Sequence, residues 1–540
     1  MKKHRRIHPV ILSLFIIQAV FLHGCQIFYE PEVIPPASTP PSQVEYQPPE
    51  ITTPPSRPRP GVFTLRYDSN SSLNPITTLN RDNILLASLM YESLFVLNEN
   101  LGVEPVLCES WESEDNTTYV VHLKPNIAMS DGTWMTADDV AYTIRQATQR
   151  GRYINRLQAI ASIASDGDLT VTIILYNTNS RFINLLDIPI IKNGSIDDRI
   201  PPGTGPYIYV GEDAGRLDRF VRHRDFFELP IMQVRLIECD DDELTQAFDD
   251  GEISMLWDDP TDSFEIRLNR LYDPRFFETT TMQYIGFNAR SRNMRDPDVR
   301  RAIGCAVERD YIVNEIMPPG SAIPALVPLS RIFSYYDMAW EHSLYDPFEE
   351  MALRLQQANL SDFDDDSFLE VSDGYGGYDK FSLTFIVNSE NLHRVRAAQR
   401  ITDTLRRNGI NVTLRELSWD SFISALEGGN FDMYYGEVTL GGDFDLSPLL
   451  LPGKLNYGGT ANTSYKPFLD DFLIAKTDYE MAYAASRLLK EISDNTPFAP
   501  VLYKRYVIYS PMGAITGATP GQSNIFHNIT QWTVNLTMLT

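Results

Sequence analysis

The sequence predicts an α/β protein built of two lobes, and three observations support this fold class. Strand-like and helix-like segments alternate from Gly61 onward. Residues 381–435 follow the order β-α-β-α-β, which is typical of a parallel sheet. The chain has 540 residues, of which 43% are hydrophobic and 11% aromatic, so it can bury large cores. A short internal repeat is absent from the sequence, which disfavours a solenoid or a propeller.

The first residues resemble a bacterial lipoprotein signal. Four basic residues within positions 2–6 precede an apolar run, Val10–Leu22, that is shorter than the roughly 20 residues of a membrane-spanning helix. The run ends in Leu22-His23-Gly24-Cys25, which resembles the lipoprotein processing motif. We therefore expect residues 1–24 to be a signal peptide and Cys25 to carry the lipid. Plain secretion with an unmodified cysteine is the alternative.

A proline-rich segment follows the predicted lipid anchor. Eleven prolines occur between residues 26 and 60, with almost no apolar periodicity. A polyproline II chain rises about 3.1 Å per residue, so residues 25–60 are predicted to tether a folded body to the membrane surface. A disordered tail has the same composition and stays open.

The elements of the body are predicted in order from their periodicity. A strand at Val62–Tyr67 precedes a helix at Arg81–Leu97, and Thr136 with Asp139 forms a capping box for a helix through Ile144. The β-α-β-α-β unit is predicted as the strand Phe381–Val387, the helix His393–Arg407 with a cap at Gly409, the strand Ile410–Leu414, the helix Ser421–Leu426 and the strand Phe431–Tyr435.

Composition and motifs disfavour several function classes. The formal net charge of −26 opposes binding to nucleic acid. The sequence has no catalytic-serine, zinc-protease or phosphate-loop motif, so an enzyme is not expected. Asp362, Asp364 and Asp366, with Asp373 in the twelfth place, follow part of a calcium loop, but Ser367 stands where that loop needs glycine. A solvated acidic loop is the favoured interpretation, and neither a metal nor a cofactor is expected.

Several blocks of the body together carry a family resemblance. The most specific is Ser130–Val140, Ser-Asp-Gly-Thr-Trp-Met-Thr-Ala-Asp-Asp-Val. The others are residues 72–75, 90–94, 105–112, 119–123, 203–207, 248–255, 284–288 and 296–303. In this order the blocks resemble the family 5 extracellular solute-binding proteins, the oligopeptide- and dipeptide-binding components of ABC importers. The resemblance covers about residues 61–540.

This resemblance implies a two-lobed fold of the periplasmic-binding-protein type (type II, large cluster) with a hinged cleft. Two chain crossings join the lobes of such proteins, and we place them near Gly286–Arg290 and Pro497–Lys504. Lobe I would then comprise 61–288 plus 501–540, and lobe II 289–500.

The resemblance also implies a ligand site in the cleft. In peptide-binding members, an aspartate after the last strand of the second lobe pairs with the α-amino group of the peptide, and Asp443 in Gly441-Gly442-Asp443-Phe444-Asp445 matches it. The tryptophan that the family has three residues earlier is Leu440 here. Further cleft candidates, chosen as aromatic rings that could stack on ligand or as an amide that could bond to peptide groups, are Tyr91, Trp257, Tyr435 and Asn462.

The sequence thus predicts a non-catalytic, monomeric receptor that is lipid-anchored on the extracytoplasmic face of the cell membrane. It would capture peptides and deliver them to the membrane subunits of an ABC permease. Within the same fold, a non-peptide solute such as a nickel chelate or an oligosaccharide stays open, as does a surface receptor without transport. A secreted acidic hydrolase is the alternative from another class, and only the many carboxylates support it.

Overall fold

The computed structural model describes residues 62–211, 215–262, 266–344, 347–453, 455–459 and 464–539. The predictions for the signal peptide, for Cys25, for the proline-rich tether and for Asn462 lie outside these ranges. The described residues belong to one compact unit. No helix in the described ranges is both long and apolar enough to cross a membrane.

The first half of the body is rich in short strands. Its strands are β1 (Phe63–Arg66), β2 (Phe95–Leu97), β3 (Val103–Pro105), β4 (Cys108–Glu112), β5 (Thr118–Leu123), β6 (Ile160–Asp166), β7 (Thr170–Leu175), β8 (Tyr207–Val210), β9 (Arg216–Arg219), β10 (Gln233–Ile237) and β11 (Leu256–Asp258). Its helices are α1 (Arg81–Met90), α2 (Ala137–Ala147) and α3 (Leu244–Asp249). One four-stranded sheet has the order β1-β10-β9-β8, and another has the order β4-β5-β7-β6.

The second half contains a large mixed sheet between helices. Its strands are β12 (Tyr272–Phe287), β13 (Ala322–Pro324), β14 (Glu370–Ser372), β15 (Tyr378–Lys380), β16 (Ser382–Asn388), β17 (Asn411–Leu417), β18 (Met433–Thr439), β19 (Phe498–Pro511), β20 (Ile515–Thr516) and β21 (Thr533–Val534). Its helices are α4 (Pro297–Cys305), α5 (Arg309–Tyr311), α6 (Ala339–Leu344), α7 (Met351–Gln357), α8 (Leu392–Arg407), α9 (Trp419–Gly428), α10 (Ser447–Leu450), α11 (Tyr465–Ile474) and α12 (Asp478–Asn495).

The predicted β-α-β-α-β unit is confirmed as β16-α8-β17-α9-β18. In the large sheet, with the order β11-β19-β12-β18-β16-β17, strand β16 pairs in parallel with both β17 and β18. The end of α8 also follows the prediction, because Gly409 adopts φ 84° directly after the C-cap Asn408. Buried apolar side chains cover both faces of this sheet, which is expected of strands that helices flank on two sides.

The long strands β12 and β19 pair antiparallel and run through two separate cores. Phe277 and Ile508 belong to the core of the first half, whereas Met282 and Tyr503 belong to a core of the second half. The pairing of the two strands shifts register between Glu278 and Met282. We therefore propose lobe boundaries near residues 280 and 505, and we call the two parts lobe I and lobe II. The boundaries at 288/289 and 500/501 stay a prediction from the resemblance.

The helix predicted for Arg81–Leu97 is too long. Asn80 caps α1 by accepting a hydrogen bond from the Asn83 amide, as expected for its start. The helix ends at Met90, because Tyr91 is extended (φ −133°, ψ 135°) and its hydroxyl donates to the Pro201 carbonyl at 2.8 Å. Residues 95–97 instead form β2. A tertiary contact thus overrides the helical pattern.

Candidate functional site

The large sheet carries polar side chains, several of them buried, where the lobes meet. On β18, alternate positions place Tyr435, Glu437 and Thr439 on one face of the sheet. Their register partners on β12 include Gln283 opposite Glu437 and Thr281 opposite Thr439. Further from lobe I, the same face is apolar and belongs to a core. Tyr435 and Gln283 are buried, Glu437 is half-buried and Thr439 is exposed. Buried polar groups are costly unless they are paired, so this switch from apolar to polar character marks a candidate site.

A network of four charged groups lies on this face. Lys504 on β19 is only 3% exposed, and its ammonium forms ion pairs with Asp259 and, at 3.3 Å, with Glu437. Arg394 in the first turn of α8 lies 2.8 Å from Glu437. Gln283 also donates to the Glu437 carboxylate at 3.0 Å. Two cations therefore balance two carboxylates from both lobes.

The electrostatics of the network favour the charged forms of Glu437 and Lys504. Burial alone would raise the pKa of Glu437, but Lys504 and Arg394 hold that pKa below its usual value. Burial opposes the charge of Lys504, and the carboxylates of Glu437 and Asp259 nevertheless raise its pKa above the ordinary value. The pairing of Glu437 with Lys504 thus offsets the cost of burying both charges.

Two of the predicted aromatic residues join this network. The hydroxyl of Tyr435 donates to Gln283 Oε1 at 2.8 Å. Trp257 packs edge-on against Tyr506, with ring centroids 5.1 Å apart, and Tyr506 lies 5.7 Å from the Lys504 ammonium. The guanidinium of Arg81 lies over the Trp257 ring, with its central carbon 3.6 Å from the ring centroid. The structure therefore brings Trp257 and Tyr435 together around Lys504.

Asp443 lies in the loop after β18 and contacts lobe I. Its side chain is buried, and its Oδ2 accepts a hydrogen bond from Asn179 Nδ2 at 2.8 Å. Gly442 permits this approach, because a Cβ there would lie 2.7 Å from Leu97 Cδ1 and 3.0 Å from the Asn184 carbonyl oxygen. The Asp443 carboxylate thus faces the interface between the lobes.

Arg181 of lobe I is inserted into lobe II beside Asp443. Its Nε and Nη2 donate to the Asp443 carbonyl at 3.1 and 2.8 Å, and its Nη1 donates to the Phe472 carbonyl at 3.1 Å. The guanidinium also lies 4.3 Å from the centroid of the Phe472 ring. Neighbouring Ser180 adds two bonds, to the carbonyls of Leu473 and Ala475. The lobes are therefore in direct contact in this structure.

Tyr91 is placed differently from the other predicted aromatics. It is 3% exposed within the core of lobe I, and its hydroxyl donates a hydrogen bond to the Pro201 carbonyl. Within the described ranges, none of its contacts joins it to the Lys504 network. Its role as a ligand contact stays a prediction.

Several site residues escaped the sequence analysis. Lys504, Asp259 and Arg394 match no short motif, and neither does Arg181. One signal was available, because Lys504 and Arg505 interrupt a strand that is otherwise almost entirely apolar or aromatic from Phe498 to Tyr509. Lysine is almost never fully buried unless it is paired, so such a position indicates a buried ion pair.

A pH-dependent stability is expected from Asp445, two residues after Asp443. Burial and the Asp443 charge raise its pKa to about 6, and the amide of Ser447 donates to its Oδ1 at 2.9 Å. A carboxyl whose pKa is raised on folding adds stability below its unfolded pKa, near 3.8, and loses it as the pH rises through about 6. Asp445→Asn should therefore raise the free energy of unfolding by about 1–3 kcal/mol at pH 7.5 and change it little at pH 4.

Chemical unfolding at the two pH values tests this expectation. Asp403→Asn, an exposed carboxylate on α8, is the matched control and should have a small effect at either pH. An equal effect of Asp445→Asn at both pH values would contradict the assignment of a raised pKa.

Comparisons with known proteins identify a family and relatives to which this chain is similar. The model of the family described as "Bacterial extracellular solute-binding proteins, family 5 Middle" matches residues 102–457, more than half of the chain. The oligopeptide-binding protein AppA of Bacillus subtilis is 22% identical over 479 residues, covering 83% of this chain and 86% of that protein. The nickel-binding periplasmic protein of Escherichia coli is 23% identical over 454 residues, covering 78% of this chain and 85% of that protein.

A solved structure shows the same fold. The structure of Bacillus subtilis AppA in complex with a nonapeptide superimposes with a TM-score of 0.63 at 20% identity, covering 88% of this chain and 99% of that one. The predicted α/β fold of the two-lobed periplasmic-binding type is confirmed by this likeness and by the family match. The order of the sequence blocks, the crossing strands and the family match agree, and the chain therefore belongs to the bacterial extracellular solute-binding proteins of family 5.

Proposed function

We propose that the protein captures peptides between its lobes and hands them to an ABC permease without altering them chemically. The observation that carries this proposal is the interlobe position of Asp443, whose carboxylate is buried and held by a neutral amide, Asn179 Nδ2. A desolvated carboxylate binds an ammonium group strongly, so the α-amino group of a peptide is its fitting partner. That AppA of Bacillus subtilis is an oligopeptide-binding protein supports the same ligand class.

The Lys504 network would serve the rest of the ligand. Lys504, Arg394, Glu437 and Asp259 are paired with one another in this structure. A zwitterionic peptide with charged side chains could exchange with these pairs without leaving a buried charge alone. Closure of the two lobes by a hinge motion would then bury the ligand. Trp257 and Tyr435 would add apolar contact area.

The location and the partners complete the proposal. We propose that residues 1–24 are removed, that Cys25 is lipidated, and that the proline-rich segment 25–60 holds a monomeric receptor at the extracytoplasmic face of the membrane. The family is extracellular, which agrees with this location. Loss of uptake of a labelled peptide after deletion of the gene would support import, whereas unchanged uptake would favour a surface receptor.

The first experiment identifies the ligand. Protein purified from its native host is denatured, and the released small molecules are analysed by mass spectrometry. A peptide supports the proposal. A metal chelate or an oligosaccharide would keep the fold and overturn the ligand class, and the nickel-binding relative makes the chelate the alternative to look for.

Asp443 gives a specific prediction once a peptide is known. Asp443→Asn keeps an acceptor for Asn179 but removes the charge, so the affinity for the peptide should fall at least tenfold. The N-acetylated form of the same peptide should bind the variant and the unaltered protein equally, because it has no ammonium group. Calorimetry measures both affinities.

Asp445→Asn is the matched control for this measurement. It removes a carboxylate two residues away whose oxygen bonds to the Ser447 amide, so the affinity should change less than threefold. If Asp443→Asn weakens the free and the acetylated peptide alike, the carboxylate stabilises the loop and does not recognise the amino group.

A further inference from the structure

A loop on lobe II gathers four carboxylates at one point. One carboxylate oxygen from each of Asp362, Asp364, Asp366 and Glu370 lies within 4.8 Å of the others. The three aspartates are exposed, and Glu370 is only 4% exposed. The ends of the loop are held together, because the Glu370 amide donates to the Ser361 carbonyl at 2.9 Å. The cluster is therefore a fixed feature of lobe II, outside the interlobe site.

Glu370 provides an independent sign that a cation belongs here. Its Oε2 accepts a hydrogen bond from the Phe363 amide at 2.8 Å, which places the carboxylate beneath the loop between Asp362 and Asp364. Its Oε1 is buried and has no hydrogen-bond partner in the part of the chain that the structure describes. A buried carboxylate oxygen without a partner costs free energy that a positive ligand would recover. We propose that this cluster is a Ca²⁺ site.

The backbone of the loop also suits a cation. Ser367 adopts φ 72°, so the left-handed turn for which glycine is usual occurs here with serine. The amide of Ser367 donates to Asp362 Oδ2 at 3.0 Å, and the amide of Asp366 donates to Asp364 Oδ1 at 3.1 Å. These bonds orient the aspartates, and each carboxylate keeps lone pairs for a metal. The spacing of the ligands thus ends at Glu370 and not at the twelfth position, Asp373.

The chemistry of the cluster favours Ca²⁺ over Mg²⁺. Calcium takes six to eight oxygen ligands at about 2.3–2.6 Å, so oxygens on opposite sides of the ion are about 5 Å apart. Magnesium requires about 2.0–2.1 Å and near-ideal octahedral geometry, for which a loosely spaced set of carboxylates is poorly suited. The ammonium of Lys380, 2.6 Å from Asp366 Oδ2, supplies a single positive charge to this cluster. A divalent ion would balance more of the remaining charge.

The consequence of binding would be local. The ion would tie the loop to the hairpin of β14 and β15, since Glu370 is the first residue of β14 and Lys380 is the last of β15. Sites in extracellular modules commonly bind Ca²⁺ with Kd values of about 10⁻⁴–10⁻³ M. This family is extracellular, so a site of that affinity would be useful in its compartment.

Calorimetric titration of CaCl₂ into the full-length, EDTA-treated protein tests the proposal. We expect one Ca²⁺ to bind with a Kd between about 10⁻⁵ and 10⁻³ M, and MgCl₂ to bind at least tenfold more weakly. Glu370→Gln and Asp364→Asn should each weaken Ca²⁺ binding at least tenfold. Asp365→Asn is the matched control, because it removes a charge from the same loop at a left-handed residue that is outside the cluster, and its Kd should stay within twofold.

Thermal unfolding separates the metal from a purely structural role of Glu370. Without calcium, Glu370→Gln should melt no lower than the unaltered protein, because it removes a buried carboxylate of which only Oε2 has a hydrogen-bond partner among the described residues. With 10 mM CaCl₂, the unaltered protein should gain stability and the variant should gain none. Lack of any Ca²⁺ binding up to 10 mM, or equal affinity in Glu370→Gln, would overturn the proposal.

Discussion

Replacing Lys504 with methionine is expected to lower the free energy of unfolding by about 3–5 kcal/mol. Lys504 is 3% exposed and is paired with the buried Asp259 and the half-buried Glu437, so its loss leaves these two carboxylates with too little positive charge. Arg394 still faces Glu437, but it is not paired with Asp259 in the network. Removing one partner of a buried ion pair costs far more than the pair itself contributes. Urea unfolding followed by tryptophan fluorescence measures the change.

The destabilisation by Lys504→Met should depend on pH in a defined direction. Lys504 and Arg394 lower the pKa of Glu437, and without the ammonium that pKa will rise. A carboxyl with a raised pKa favours the folded state only at low pH, so the loss of stability should be smaller at pH 5 than at pH 8.

Lys466→Met is the matched control for the same chemical change at the surface. The Lys466 side chain is 57% exposed and bonds to Asp470, one turn further along α11. An exposed pair of this kind contributes about 0.3–0.5 kcal/mol. Equal effects of the two substitutions would mean that the Lys504 network is solvated in solution.

The parts of the fold that the sequence predicted are those that depend on local chemistry. The capping box of Thr136 and Asp139 begins α2, as their side chains require. The end of α1 could not be predicted in this way, because it depends on the contact of Tyr91 with Pro201, 110 residues further along the chain. Periodicity contains no information about such a contact.

The candidate site shows the same division. Asp443 was found only because its surrounding residues resemble a family motif. Its partners Asn179 and Arg181 lie more than 260 residues away in sequence, and no local pattern connects them. The calcium-like spacing was visible in the sequence, but the fourth carboxylate was assigned to Asp373, because only the folded loop shows that Glu370 is beneath it.

Arg181→Met is expected to open the molecule and to weaken ligand binding about 10- to 100-fold. The guanidinium donates three hydrogen bonds to two carbonyls of lobe II, and hydrogen bonds to charged groups contribute about 1.5–3 kcal/mol each. In an open conformer, water would satisfy the same groups, so only part of this energy favours closure. The apparent Kd rises as the closed fraction falls, and 1.4 kcal/mol corresponds to a factor of ten.

Small-angle scattering and calorimetry test this expectation together. Without ligand, the Arg181→Met protein should have a larger radius of gyration than the unaltered protein, and saturating ligand should remove the difference. Arg150→Met is the matched control, because Arg150 bonds at 2.8 Å to Asp197, which lies in the same lobe, and its loss should change neither quantity. If Arg181→Met leaves both the radius and the Kd unchanged, the contact between Ser180–Arg181 and the Asp443 loop is permanent. The hinge motion would then have to open the molecule elsewhere, at the Lys504 network, where Asp259 of lobe I meets β19.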